Sequence, residues 1–165
     1  MNPFRRDPFW ARDGLTFACT RCGHCCRRPG YVQVTESEGE AIAQALHGPT
    51  ARAADLSPRV WSSAGDGAWE IEVVEGGAGC PLLRPDGTCS VEAVKPAQCA
   101  TYPFWPEVVR NERTWRAEGR ECEGIGQGAR FAPEQIRALL AGCGRTSTSD
   151  GSAVPAGPDD ETRER

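Results

Sequence analysis

The stretch Cys19-Thr20-Arg21-Cys22-Gly23-His24-Cys25-Cys26 decides how this chain is read. Two residues between successive cysteines let the backbone curl so that the sulfurs converge on one ion or cluster. Gly23 suits such a curl, because tight turns often require a positive φ. Structural zinc sites usually divide their ligands into two separate pairs. Three cysteines in C-x-x-C-x-x-C order instead match the run that grips three corners of a [4Fe–4S] cluster, with a remote fourth ligand. The spacing therefore favours iron–sulfur, with zinc as the alternative. Cys26 adds a fourth thiol, and because adjacent side chains tend to diverge, Cys25 and Cys26 are read as serving different metals or different corners of one site.

Four further cysteines stand beside turns or breakers. Gly79 precedes Cys80, Asp86-Gly87 precedes Cys89, Pro96 precedes Cys99, and Gly124 follows Cys122. Loop positions let backbone amides point at thiolate sulfurs, which supports metal binding. With the first four they make eight candidate ligands, enough for two four-thiolate sites or for one site beside a redox-active pair. Cys143 follows an amphipathic helix and is read as a non-ligand, a small buried hydrophobe. His24 lies within the knot but competes with abundant thiolates, and His47 suits a helix end, where a cation meets the dipole. Neither is assigned a ligand role.

Composition points to the same chemistry. The chain has 165 residues, enough for one domain, with 39% apolar and 25% charged residues, as in globular proteins. Nine cysteines in such a chain need an explanation, and an odd count argues against complete disulfide pairing. The Arg5-Arg6 pair is followed by no apolar stretch, so no export signal is read, and the expected compartment is the reducing cytosol. There, metal ligation and redox catalysis are the usual uses of cysteine. No apolar run approaches the ~18 residues of a membrane span, and a net charge of −4 gives no reason to expect nucleic acid.

Outward from the knot, residues 1–16 read as an irregular arm with apolar anchors, among them Phe4, Phe9 and Trp10. Tyr31–Val34 alternates like a strand. Thr35 and Glu38 are spaced as a capping box, which predicts a helix from about Glu36 to His47 with Ile42, Ala43 and Leu46 inward. Val60–Ser62 and Trp69–Val74 flank a Gly-Asp-Gly turn and predict a hairpin. Pro85-Asp86-Gly87 predicts a turn between Cys80 and Cys89. Val108–Arg110 and Thr114–Arg116 predict a third hairpin, and Pro133 begins a last helix with Ile136, Leu139 and Leu140 on one side. From residue 145 the composition suits a disordered tail. The expected fold is a small, loop-rich α+β single domain over 17–144, its short helices and hairpins organised around a cysteine-ligated metal centre.

Phe17-x-Cys19-x-x-Cys22-Gly23-x-Cys25-Cys26 resembles the signature of the YkgJ-type cysteine-cluster proteins, the CxxCxxCC zinc- or iron-chelating family. The middle block, Cys80-Pro81-Leu82-Leu83 through Cys89 to Lys95-Pro96-x-x-Cys99-x-x-Tyr102-Pro103-Phe104, is similar to that family's. So is the closing Cys122-Glu123-Gly124-Ile125-Gly126-Gln127-Gly128. Val91-Glu92, Lys95 and Ala100 depart from its pattern, while all eight candidate ligands are kept. The resemblance implies binding of metal or an iron–sulfur cluster, and kinship with flagellin lysine N-methylases.

Three functions follow as expectations. The first is an iron–sulfur or iron protein with a redox or electron-transfer role, its metal held by Cys19, Cys22, Cys25, Cys26, Cys80, Cys89, Cys99 and Cys122. The second is a structural zinc module. The third, carried by kinship alone, is a component related to lysine methylases, for which the sequence offers no nucleophile and base pair.

Overall fold

The computed structural model describes residues 7–143, so the tail read from residue 145 onward lies outside the described residues, as do residues 1–6 of the arm. In chain order the elements are β1 (Leu15–Phe17), β2 (Gly30–Val34), α1 (Glu36–His47), β3 (Ser62–Gly65), β4 (Ala68–Val73), α2 (Ala97–Ala100), α3 (Glu112–Glu118), β5 (Ile125–Phe131) and α4 (Pro133–Cys143). Short 3-10 turns at Cys25–Arg27, Ala53–Leu56 and Glu92–Val94 interrupt the loops. Helices and two small antiparallel sheets in one chain give the α+β class that the sequence predicts. The described residues divide into two compact units, one formed by Arg21–Ala100 and the other by residues 7–20 together with 101–143.

In the unit Arg21–Ala100 the sheet order is β2-β4-β3, all antiparallel. Tyr31 faces Glu72, Val32 faces Ile71 and Val34 faces Trp69. The β3–β4 hairpin turns through Gly65-Asp66-Gly67, all three at positive φ, as its Gly-Asp-Gly sequence requires. Helix α1 starts at the predicted capping box: Glu38 N–H donates to Thr35 Oγ1 at 3.3 Å, and Thr35 N–H donates to Glu38 Oε2 at 2.8 Å. Its inner face buries Ile42 and Ala43 against Val34, Ile71, Trp61, Leu82 and Val91. Burying these side chains supplies the apolar stabilisation that the surrounding loops lack.

The other unit is built on a two-stranded pairing of β1 with β5, which aligns Leu15 with Phe131. The end of the arm, expected to be irregular, is thus a strand, because β5 offers it an antiparallel ladder. Trp10 is buried, and its indole N–H donates to the Val109 carbonyl at 3.1 Å. Phe104 lies at the centre, its ring 4.6 Å from Phe131 and 5.7 Å from Trp115. The hairpin expected over Val108–Arg116 is instead a turn leading into α3. Asn111 caps that helix: its side chain accepts from Thr114 N–H at 3.0 Å, while Asn111 N–H donates to Thr114 Oγ1 at 3.2 Å. Capping at Asn111 and burial of Trp115 on the helix prevail over the apparent strand alternation. Helix α4 begins at Pro133 as predicted and buries Ile136 and Leu139. It runs through Gly142 and includes Cys143, which the sequence reading placed after the helix.

Candidate metal centre

The cysteine knot curls by the means its sequence suggested, and by one more. Gly23 has φ 70°, and Arg21, which has a Cβ, also adopts a left-handed φ of 57°. Such a conformation costs on the order of 1–2 kcal/mol for a residue with a side chain, so surrounding contacts must hold it. One of them is visible. Arg27 Nη1 donates to the carbonyl oxygens of Gly23 at 3.0 Å and Cys22 at 3.3 Å. The 3-10 turn Cys25–Arg27 closes the knot with Arg27 N–H donating to His24 O at 2.9 Å. Despite being neighbours, Cys25 and Cys26 hold their sulfurs only 4.0 Å apart.

A second loop carries Cys80 and Cys89. The Cys80 N–H donates to Cys26 O at 2.7 Å, joining this loop to the knot. Gly79 makes the junction possible: at φ 92° it leaves no room for a side chain, and a Cβ there would meet Cys26 O at 2.9 Å. At the other end, a Cβ on Gly23 would meet Gly87 O at 2.8 Å, so the two loops also touch at the predicted turn. That turn is closed by Arg84 N–H donating to Thr88 O at 2.8 Å, and Leu83 and Cys89 form an antiparallel bridge. Asp86 Oδ1 accepts from Thr88 Oγ1 at 2.7 Å and Thr88 N–H at 2.9 Å, which holds its carboxyl below the usual carboxylate range. The Arg84 guanidinium donates to Cys89 O at 2.9 Å and Ser90 O at 3.2 Å.

Cys99 is delivered by α2, a single turn fixed from two sides. Gln98 Oε1 accepts from Gln33 N–H at 2.8 Å, and Gln98 Nε2 donates to Tyr31 O at 3.1 Å, anchoring the turn to β2. The Ala97 N–H donates to Glu38 Oε1 at 2.7 Å. Glu38 therefore serves both the cap of α1 and the start of the turn that carries Cys99.

Electrostatics identify which thiols the unit gathers. Cys25 is raised, chiefly by its hydrogen bond with Cys26 and then by burial, while Cys26 is lowered by accepting that bond. Their mutual hydrogen bond therefore favours ionisation of Cys26 over Cys25. Burial pushes the Cys99 thiol up to about 12, and the negative potential of Cys80, Cys25 and Cys89 adds to this. Burial also raises Cys80, against the Leu82 amide that points at its sulfur. Lys95 opposes the rise at both Cys25 and Cys99. Cys25, Cys26, Cys80, Cys89 and Cys99 thus lie within one another's field, with Cys22 on the same knot and exposed, as Cys25 is.

This donor set suits a thiophilic metal. Sharing one tetrahedral ion at ~2.3 Å per bond requires two sulfurs ~3.8 Å apart, close to the Cys25–Cys26 separation. Thiols that repel as thiolates in a half-buried setting gain most from a cation among them. Among the described residues no three Cys, His, Asp or Glu side chains yet close on a single point as chelating ligands. All nine cysteines are free thiols.

Cys19 and Cys122 belong to the other unit. Ala18 N–H donates to Gly124 O at 3.1 Å, so the segments bearing these two cysteines run side by side. Gly124 and Gly128 permit this approach, since a Cβ on Gly124 would fall on the Ala18 carbonyl and one on Gly128 on the Ala18 Cβ. Tyr102 Oη donates to Glu118 Oε1 at 2.7 Å and faces the Cys122 sulfur; burial, then these two partners, raise its phenol. Cys143, read as a non-ligand, is raised by burial and hydrogen-bonded to Thr101. Trp105 packs with the aromatic core of its unit, its ring 5.2 Å from Tyr102. The sequence reading missed Arg84, Gln98 and Glu38 as supports of the cysteine loops, although the Thr35–Glu38 spacing placed Glu38 at a helix start.

Comparison with family models finds CxxCxxCC, described as a "Putative zinc- or iron-chelating domain", over residues 18–123. The matched span contains the eight cysteines from Cys19 to Cys122 and leaves Cys143 outside. Among curated proteins and among solved structures nothing matches. Among the described residues no helix is long and apolar enough to cross a membrane.

Proposed function

This chain belongs to the CxxCxxCC family of zinc- or iron-chelating domains, and from that premise we propose that its thiolates hold iron, as an iron–sulfur cluster, in a redox or electron-transfer role. The observation that carries this is the gathering of Cys25, Cys26, Cys80, Cys89 and Cys99 within one another's field. The Leu82 amide aimed at Cys80 and the Cys26 amide aimed at Cys25 add the donors that stabilise cluster thiolates. Cys22 of the same knot and Cys19 and Cys122 of the other unit complete the eight-thiolate set, within a metal-binding domain over 17–144. The reducing cytosol, where cysteine chiefly serves metal ligation and redox chemistry, is the compartment this reading assigns. The test is anaerobic purification with metal and acid-labile sulfide analysis. A brown protein with both iron and sulfide supports the reading.

A structural zinc site is the second reading, and one observation favours it. The gathered ligands come mainly from two separate loops, the knot and the Cys80–Cys89 loop, which is the division structural zinc sites use. Zinc bound without iron, with the fold lost when a chelator removes it, supports this reading over the first. The lysine methylase reading still rests on kinship alone.

A further inference from the structure

We propose that Arg27 and Arg84 are positioning residues of the metal site, each gripping the backbone of one cysteine loop so that its thiols are in place before the metal arrives. The inference rests on the metal-binding reading above and deepens it. Arg27 Nη1 takes two consecutive carbonyls, Cys22 O at 3.3 Å and Gly23 O at 3.0 Å, at the tightest part of the knot. Arg84 does the same on the second loop, with Nη1 on Cys89 O at 2.9 Å, Nη2 on Ser90 O at 3.2 Å, and Thr88 Oγ1 at 3.5 Å. In both cases one of the gripped carbonyls belongs to a cysteine.

The chemistry calls for arginine. Loop carbonyls have no ladder to satisfy them; Arg84 reaches two adjacent ones with the two arms of its fork, and Arg27 reaches two through Nη1, held in place by its planar guanidinium. A lysine ammonium carries the same charge but not the fork. The two grips lie close together: Gly87, within the loop that Arg84 holds, has its Cβ position 4.0 Å from Arg27 Nη2 and 3.8 Å from Cys22 O.

The test uses the full reduced, metal-free chain and its Arg27→Ala, Arg27→Lys, Arg84→Ala and Arg84→Lys variants, with Arg116→Ala as a control in the other unit. Zn(II) affinity is read by competition with a chromophoric chelator, and amide exchange is read before metal is added. The proposal expects each alanine variant to bind Zn(II) roughly 10–100-fold more weakly. It expects exchange to quicken across 21–28 for Arg27→Ala and across 84–90 for Arg84→Ala, little rescue by lysine, and no effect of Arg116→Ala. Affinities within twofold of wild type, unchanged exchange, or full rescue by lysine would overturn it, the last by reducing the role to charge. A wild-type chain that takes up neither Zn(II) nor, on anaerobic reconstitution, iron removes the metal reading and this role with it. A wild-type chain that binds zinc beside unaffected variants removes this role alone.

Discussion

The Cys80 backbone N–H donates to the Cys26 carbonyl oxygen at 2.7 Å, a bond that joins two cysteine loops 54 positions apart in the chain. It sets Cys80 beside the Cys25–Cys26 pair by a main-chain contact that depends on no side chain.

Glu38 connects helix α1 to the turn bearing Cys99 through its two carboxylate oxygens. Glu38→Ala removes both charge-assisted bonds and is expected to cost roughly 2 kcal/mol or more in denaturant unfolding of the metal-free chain. Metal affinity should fall as well. Thr35→Ala, which removes only the cap, is expected to cost about 1 kcal/mol and to leave metal affinity nearly unchanged.

Gly124 has no room for a methyl group, because the Ala18 carbonyl occupies the place of a Cβ. Gly124→Ala is expected to destabilise the chain by about 1–3 kcal/mol through overpacking, read as a lower denaturation midpoint. An unaltered midpoint would show that the segments of Cys19 and Cys122 are not held as closely as described.

Thiol labelling of the reduced, metal-free chain at pH 8 should follow burial and ionisation. The thiolate is the nucleophile, so a raised pKa slows alkylation. Cys19 and Cys22, both exposed, are expected to react first. Cys99, pushed up to about 12 mainly by burial, is expected to react among the last. Peptide mapping by mass spectrometry checks the order, and early labelling of Cys99 would contradict its placement.

Much of this arrangement was legible in the sequence, and the exceptions share a cause. The Thr35–Glu38 box, the Gly65-Asp66-Gly67 turn and the Pro85–Gly87 turn are local signals, and each appears where its residues predict. Strand β1 was not legible, because three residues become a strand only through a partner more than a hundred positions away. Helix α3 was misread as part of a hairpin, although Asn111 and Thr114 carried a capping signal of their own. The candidate ligands stood out by residue type and spacing. Their supports did not, since a guanidinium gripping loop carbonyls leaves no trace in spacing.

Ligand and non-ligand cysteines should separate by substitution. Cys99→Ser is expected to lower bound metal sharply, because a hydroxyl replaces a thiolate in the gathered group. Cys143→Ser, hydrogen-bonded to Thr101 in the other unit, should leave metal content at the wild-type level. Equal losses in both variants would point to a general effect on folding.

The central claim is that the gathered thiolates hold an iron–sulfur cluster, and its most direct test is iron, zinc and acid-labile sulfide analysis of the anaerobically purified chain, read beside the visible spectrum. The account predicts iron and sulfide in comparable amounts, about four irons per cluster, with broad visible absorbance. A colourless protein carrying zinc and no sulfide would contradict it.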